Sequence, residues 1–517
     1  MSPTRTIVIV GAGFSGTLVA ANLLRSQSGA ATRIVLIERS NCFARGKAYA
    51  DSAHPFLLNV PAGRMSADPR RPLDFLDFAR RQYPSATVED FLPRALYGEY
   101  LESVLLDAEV SAPAHMRLER RRADACGIEP IDGGTQYRVQ LSDGDSLIAD
   151  DVTLALGNPP PAELPGTDAL HESCYIPDPW SSPLHFRPGE SILLIGTGLT
   201  MVDVALAAAT PPATPPATPP TTPPTTPPTT ASVDRTTIHC ISRHGLLPAS
   251  QTPFSPTSFK GDRTALLRAA SFSALTLFRG VRELVDETER SGNDWREAIT
   301  FIRSIAPALW QRLPLREKRR ILRHVRPYWD VHRHRLAAET LAKLQQMRRR
   351  DQLHVHAGRL LTFERIGAQV RVTWRPRGES QARTLIVDRV VNCTGPDYNA
   401  RRSRDPLVRS LLAQGLASTD SLKLGIRTGA CGALIDSRGR TAPNLFYVGP
   451  LLRADHWEVT AAQELRGHAE RLAGLLVAAA GGGVHAGPPG RVQAVSGGRV
   501  QTTVPSGQTR AGRRYGE

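Results

Sequence analysis

Two glycine clusters, each directly behind a short apolar run, are the residues whose types and spacing can do chemistry. Gly11-Ala12-Gly13-Phe14-Ser15-Gly16 follows Ile7-Val8-Ile9-Val10, and Thr17 to Leu24 continue in helix-forming residues. The pattern predicts strand, tight turn and helix. Gly11 permits the turn, Gly13 lets a pyrophosphate approach the backbone, and Gly16 allows close helix–strand packing. The helix N-terminus, at Phe14 and Ser15, faces the phosphates. A second apolar run, Ile34-Val35-Leu36-Ile37, ends at Glu38 and Arg39. An acid about 20 residues beyond the turn is where ribose hydroxyls are expected to bind.

The second cluster, Gly196-Thr197-Gly198-Leu199-Thr200-Met201, follows Ile192-Leu193-Leu194-Ile195. Met201 stands where a third glycine or alanine is usual, which loosens the expected helix–strand fit but keeps the phosphate turn. The next strand, Thr237-Ile238-His239-Cys240-Ile241, runs into Ser242-Arg243-His244, with no acid for a ribose. Arg243 suits a 2′-phosphate, which tilts the reading toward NADPH and leaves NADH open. Two such sites in one chain imply a resident flavin and a nicotinamide nucleotide that delivers hydride to it. The cofactor then carries the chemistry, and no nucleophile–base pair is needed.

Positioning these turns requires an α/β fold with two dinucleotide-binding (Rossmann-like) domains. The expected division is an FAD-binding domain from residues 1–190 and 387–480, with an NAD(P)H-binding domain at 191–386 between them. Within the latter, 262–350 has helical periodicity and forms a helical segment over the cleft. Residues 210–230 are a Thr-Pro-Pro repeat from Thr210 to Thr230, which cannot make helix or sheet. It is expected to extend at most about 65 Å as polyproline II at ~3.1 Å per residue. The Gly-, Pro- and Ser-rich tail, 481–517, is expected to be disordered.

The 517 residues, 41% hydrophobic and 22% charged, are ordinary for a globular protein. No apolar run approaches the roughly 18 residues of a membrane span. Ile7 to Val10 lack a basic leader and read as a buried strand, so a cytoplasmic protein is expected. Six scattered cysteines without a C-x-x-C pair argue against disulfides and zinc, and each is expected to be a small buried hydrophobe. The net charge of +15 gathers largely between Arg303 and Arg350, without a nucleic-acid motif. A cleft for an anionic cofactor and substrate accounts for it, as does a solvated helix face. His332 with His334 and His354 with His356 lack the further ligands of a metal site.

Seven stretches resemble a bacterial family of FAD/NAD(P)-binding proteins, related in plan to flavin-containing and N-hydroxylating monooxygenases. They are Gly46 to Ala50, Leu57-Leu58-Asn59-Val60-Pro61-Ala62-Gly63-Arg64-Met65-Ser66, Leu154 to Asn158, Ile195 to Asp203, Ile241 to Pro248, Asn392 to Pro396 and Gly449 to Ala462. The resemblance implies FAD and NADH or NADPH as cofactors, with Asn59, Arg64 and Met65 near the flavin. Gly157 and Gly449 end strands beside it, and a helix from about Glu458 to Ala479 points its N-terminus at the ring. Asp455 and Glu458 also have the spacing of a capping box. The family includes a flavoprotein urate hydroxylase, to which the chain is similar. That implies oxygen insertion into urate to give 5-hydroxyisourate, with O2 and a small molecule as partners. Arg323, Arg326, Arg333 and Arg335, which flank Tyr328-Trp329, are the substrate candidates together with Trp457. N-hydroxylation of an amine, in an acidic pocket, and a flavin reductase or redox sensor are the alternatives.

Overall fold

The structure, a computed structural model, describes residues 4–26, 29–209, 236–251 and 261–480. The Thr/Pro repeat and the tail lie outside these residues. The strands are β1 (Arg5–Val10), β2 (Thr32–Glu38), β3 (Met116–Arg122), β4 (Ala125–Ile131), β5 (Gln136–Leu141), β6 (Ser146–Ala149), β7 (Asp151–Leu154), β8 (Tyr175–Ile176), β9 (Ser191–Ile195), β10 (Thr237–Ser242), β11 (Leu353–Ile366), β12 (Gln369–Pro376), β13 (Arg383–Val387), β14 (Arg389–Asn392), β15 (Ala433–Ile435) and β16 (Thr441–Tyr447). The helices are α1 (Phe14–Leu24), α2 (Gly46–Tyr49), α3 (Asp74–Ala79), α4 (Arg94–Val110), α5 (Leu199–Ala209), α6 (Arg263–Phe272), α7 (Ala274–Arg290), α8 (Trp295–Arg312), α9 (Leu315–Arg320), α10 (Arg326–Arg333), α11 (Ala338–Arg349), α12 (Pro406–Ala413) and α13 (Ala462–Ala480).

Two sheets carry the fold. The first has the order β15-β16-β7-β1-β2-β3 and is parallel except where β15 meets β16. Its central strand explains why a continuous apolar run is needed there, because both faces are covered. Ile7 and Ile9 pack among residues of α1, α4 and α13, whereas Val8 and Val10 pack against the antiparallel β4-β5-β6 sheet and α12. The second sheet has the order β13-β12-β11-β10-β9-β14-β8. Here too the central strand divides its side chains. Ile192 and Leu194 face α5 and α11, and Leu193 and Ile195 face Val370, Val372 and Trp374.

This second sheet reaches past both boundaries read from the sequence, taking in β8 on one side and β14 on the other. Strand β14 lies parallel to β9, with Val391 opposite Leu194, so the chain stays in the second sheet as far as Asn392 before returning to the first.

Helices α6 to α11 fill the expected helical segment. Side-chain caps from Asp262, Ser273 and Asp294 start α6, α7 and α8, each worth about 1 kcal/mol. Their apolar faces form a separate core that also takes in Leu424, Ala454 and Trp457 from the C-terminal part of the first domain. The closing helix begins at Ala462, later than expected, because Pro450–Ala454 form a 3-10 turn first. Of the cysteines, Cys174, Cys240 and Cys393 are buried as expected, whereas Cys42 is exposed on the turn after β2 and Cys126 and Cys431 are half-buried.

Asp151 sits opposite Ile7 at the start of β7, paired with Arg5 at 2.6 Å and only 2% exposed. Burial pushes its carboxyl up to about 6, although Arg5 pulls the other way. The folded state therefore holds this proton more tightly than the unfolded chain. The stability it contributes is complete below about pH 4 and is lost as pH rises through 6. Asp151→Asn should remove that slope, on the order of 2–3 kcal/mol between pH 4 and 7, in denaturant melts. An unchanged pH profile would refute the assignment.

Candidate functional site

The first glycine turn is held by backbone contacts that leave no room for side chains. Gly11 has φ +99°, and a Cβ there would lie 2.4 Å from the Ala155 carbonyl oxygen. A Cβ on Gly16 would lie 1.9 Å from the Gly11 carbonyl oxygen, so the third glycine is what lets α1 approach the strand. Gly13 differs: its Cβ would meet only the Gly46 Cα, at an ordinary 3.5 Å. Glycine there is not required by the fold, which is expected of a position kept open for a ligand. No side chain caps α1 and no acid lies in its first turn, so its N–H groups remain available to an anion. Ser15 is buried within this turn and Phe14 packs between Tyr49 and Tyr97, each ring centroid 6.3 Å away. Glu38 is 8% exposed and accepts from the backbone N–H groups of Ala12 and Ser40, both at 2.9 Å. Arg39, by contrast, is half-exposed and bonded to Asp405 at 2.9 Å.

The second turn repeats this geometry. Gly196 has φ +115°, and its Cβ would lie 2.5 Å from the Cys393 carbonyl oxygen, as Gly11 does from Ala155. The loops after the neighbouring strands then turn alike, three residues beyond β7 and β14, at Gly157 (φ +64°) and Gly395 (φ +80°). Gly198 has nothing within 4 Å, and Leu199 and Thr200 open α5. Met201 is fully buried at the position matching Gly16. Arg243 is exposed at the end of β10, where Ser242 accepts from Gly245 N–H at 3.0 Å and lies 2.9 Å from the Thr197 hydroxyl.

The Leu57 to Ser66 stretch forms the wall next to the first turn. Gln463 donates to the Arg64 carbonyl at 3.1 Å and Arg466 to the Ser66 carbonyl at 2.6 Å, so the first turn of α13 is tied to it. Met65 is buried, Arg64 half-buried and Asn59 exposed. Beside Leu57 and Arg64 opens a cleft of about 680 Å³, bounded across by Gln251 and Ala337 to Glu339, a size that suits a small molecule. Gly449, at φ +157°, packs on the Tyr447 ring and leads into the 3-10 turn.

The basic segment meets the approach to α13, which is tied to this wall, through buried ion pairs. Arg333 binds Glu458 at 2.5 Å, with the two side chains 8% and 6% exposed, and Trp329 donates to the same carboxylate at 2.9 Å. Breaking such a pair leaves a buried charge uncompensated, at about 3–5 kcal/mol. Glu458 is therefore no capping residue, and Asp455 instead accepts from Thr428 N–H at 3.3 Å. Helix α13 starts too late for the predicted capping box. Arg303 pairs with Glu464 at 2.6 Å. Burial, then Arg296, Arg64, Arg333 and Arg303, press the Arg335 guanidinium down to about 10. The neighbouring His334 is held well below its usual range by burial and by Arg333, Arg453, Arg303 and Arg326, so it stays neutral. Trp457 is 6% exposed, stacked on Trp310 at 4.6 Å and against Arg453 at 4.4 Å.

The structure thus brings Arg333, Arg335 and Trp457 to one wall. Arg326 reaches it through the field it exerts on His334 while pairing with Asp330, and Arg323 lies on the exposed surface. Arg303, Arg453, Gln463, Glu464 and Arg466 escape the sequence reading. Gln463 and Arg466, three apart in a helix that opens next to a glycine-ended strand, carry the one signal available. His354 and His356 stack with His239 along the second sheet. Among the described residues no group of His, Cys, Asp and Glu is arranged to hold a metal, and no helix is long and apolar enough to cross a membrane.

Residues 8–159 match a family model described as FAD-NAD(P)-binding. No curated protein matches the chain. Among solved structures, the chain is similar to the ornithine N-hydroxylase of Kutzneria sp. 744, at 15% identity and a TM-score of 0.55, covering 92% of this chain and 99% of that one. It is also similar to the ornithine hydroxylase of Pseudomonas aeruginosa, at 14% identity and a TM-score of 0.55, with 92% and 99% covered. The cadaverine monooxygenase of Erwinia amylovora gives 13% identity and a TM-score of 0.56, with 96% and 99% covered. At these identities the likeness is one of fold, a mixed α/β chain with two dinucleotide-binding domains.

The contrast between the packed and the open glycines is testable without any ligand. Gly16→Ala forces a Cβ onto a backbone carbonyl and should cost about 1–3 kcal/mol in urea melts. Gly198→Ala fills open space and should stay within about 0.5 kcal/mol of the parent. Equal losses would show that Gly198 is as tightly packed as Gly16.

Proposed function

We propose that this chain is an FAD-dependent, NAD(P)H-consuming monooxygenase acting on a small molecule. The observation that carries the reading is the pair of glycine turns of one geometry, each opening a helix beside a glycine-ended strand. The family match over the first turn and the fold neighbours, one holding reduced FAD and NADP+, support it. The residues present fit a dinucleotide, because Gly13 faces space that no side chain fills and the N-terminus of α1 lacks a cap.

In this reading the residues of the turn Gly11 to Gly16, with the N–H groups of Phe14 and Ser15, would hold the pyrophosphate of FAD. Glu38, oriented by Ala12 N–H, takes the ribose hydroxyls, with Arg39 at its rim. Asn59, Arg64, Met65, Gly157 and Gly449 line the flavin's surroundings, and the N-terminus of α13 stabilises negative charge on its ring. NADH or NADPH uses Gly196, Gly198, Leu199 and Thr200, with Arg243 exposed for a 2′-phosphate. Bound flavin supplies the activation of oxygen. The chain's own residues bind, orient and exclude water, and neutral His334 provides a ring nitrogen within the basic wall.

For the substrate, hydroxylation of an amine nitrogen has the better support, since the fold neighbours include enzymes named for ornithine, lysine and cadaverine. Urate has no support among the comparisons; what favours it is the basic wall at Arg333 and Arg335. An acidic pocket was the mark expected of an amine hydroxylase. The wall is instead basic, with acids present as ion-pair partners, which suits a substrate that carries an anionic group besides its reacting atom.

The test is direct. The protein should purify yellow with non-covalent FAD, and Gly13→Val should fold but lose most of it, read from the ratio of 450 to 280 nm absorbance. Ornithine, lysine, cadaverine and urate are then each assayed for stimulated NADPH and NADH oxidation, oxygen uptake and hydroxylated product. A colourless parent protein, or a fully flavinylated Gly13→Val, would remove the flavin assignment. Hydroxylamine from an amine supports N-hydroxylation, whereas 5-hydroxyisourate from urate alone would reverse that preference.

A further inference from the structure

Two guanidinium groups in the basic wall are buried with donors left over. Arg333 is paired with Glu458, yet its Nη2 has no acceptor among the described residues. Arg453 is 7% exposed, its Nε lacks an acceptor, and among the described residues it has no ion-pair partner. Its guanidinium lies against two rings, 4.4 Å from the centre of Trp457 and 5.1 Å from that of Tyr398, and also reaches the Tyr398 hydroxyl, so that Nε is the donor left over. A buried N–H donor on a charged group costs more than a neutral one when unmade, so the pair marks a place where an acceptor belongs. The two belong to one neighbourhood: the Glu458 carboxylate that binds Arg333 also acts on Arg453, and both arginines act on His334. Of the carboxylates there, Glu458 is engaged at both oxygens by Trp329 and Arg333, whereas Glu464 binds Arg303 through Oε1 and keeps its Oε2 unpaired among the described residues.

We propose that Arg333 and Arg453 form the anion end of the substrate site, taking the carboxylate of a small organic acid through the donors that the protein leaves unpaired. The aromatic faces of Trp457 and Tyr398 hold Arg453 from moving to solvent, and the planar fork of a guanidinium matches a carboxylate in two hydrogen bonds. The ion pair with Glu458 keeps Arg333 oriented, so the site is formed before the anion arrives. The inference rests on the monooxygenase reading only in calling the anion a substrate.

The test uses the flavin-loaded oxidised protein, without nicotinamide, at constant ionic strength. Sodium acetate and sodium benzoate are titrated against sodium chloride while tryptophan fluorescence, flavin absorbance and the thermal midpoint are followed. Saturable changes with the carboxylates, absent with chloride, are expected. Arg453→Gln should weaken them at least tenfold, and Arg453→Lys, which keeps the charge but not the fork, should be intermediate and covers the case that the first variant fails to fold. The proposal is overturned if carboxylates act no differently from chloride, or if both variants bind as the parent does. Binding that appears only after the flavin is stripped would assign these donors to the flavin and overturn it too. Bleaching of the flavin by NADPH without oxygen, measured on the same samples, separates the two readings. Bleaching without carboxylate binding removes this site alone, and carboxylate binding without bleaching removes the monooxygenase reading and leaves an anion site.

Discussion

Both halves of the molecule depend on one steric constraint, the passage of a strand's last carbonyl across the start of a neighbouring turn. Ala155 crosses Gly11 and Cys393 crosses Gly196, at separations that a Cβ would close to 2.4 and 2.5 Å. No side chain can stand there, and the left-handed φ of each glycine would exclude most residues in any case. The crossing aligns the strand ends, and strand ends in a parallel sheet are where the following helices present their N–H groups. Register in each sheet, the direction of α1 and α5, and the position of the glycine-ended loops after β7 and β14 follow from it.

The helical segment is joined to this frame by charge as well as by apolar contact. Its own core closes on Trp457 and Ala454, where Trp310 donates to the Ala454 carbonyl at 3.0 Å. The ion pairs Arg303–Glu464 and Arg333–Glu458 then fix its helices against the approach to α13. Buried pairs of this kind add little net stability compared with well-packed apolar groups, but they penalise any other docking by leaving charges unpaired. The segment is thus held against the wall by Arg303 and Arg333, which become interior groups at that junction, whereas Arg316, Arg319, Arg320 and Arg323 of the same basic segment stay exposed.

What was legible in the sequence follows the range of the forces involved. The glycine turns, the buried runs Ile7 to Val10 and Ile192 to Ile195, Glu38 and the helical segment all rest on local pattern, and each occupies the element expected of it. The run Val387 to Asn392 reads as a strand from its sequence, but only the pairing of β14 with β9 and β8 places it in the second sheet, and β8, of two residues, gains its identity from that pairing alone, so the domain boundaries stop short of both. Asp455 and Glu458 show the same limit at the site. Their spacing suits a capping box, yet a partner 125 residues away, Arg333, decides where the Glu458 carboxylate goes. Arg453 gives no local sign at all, because its burial between two rings is a tertiary fact.

The two turns also differ in a way that bears on what each would hold. In the first, Glu38 is bonded to the turn's own backbone and Gly16 is packed to the limit, while Gly13 stays open. In the proposed reading a ligand there is held on several sides and leaves slowly, as a resident cofactor must. The second has open space at Gly198, an exposed Arg243 and no acid at the end of β10. Met201 fills the place of the third glycine without disturbing the Gly196 crossing, so the phosphate turn survives while the helix is relieved of its tightest contact. In the proposed reading this is the site for a nucleotide that binds, gives up hydride and departs once per turnover, and a looser, more solvated cradle is what such exchange requires.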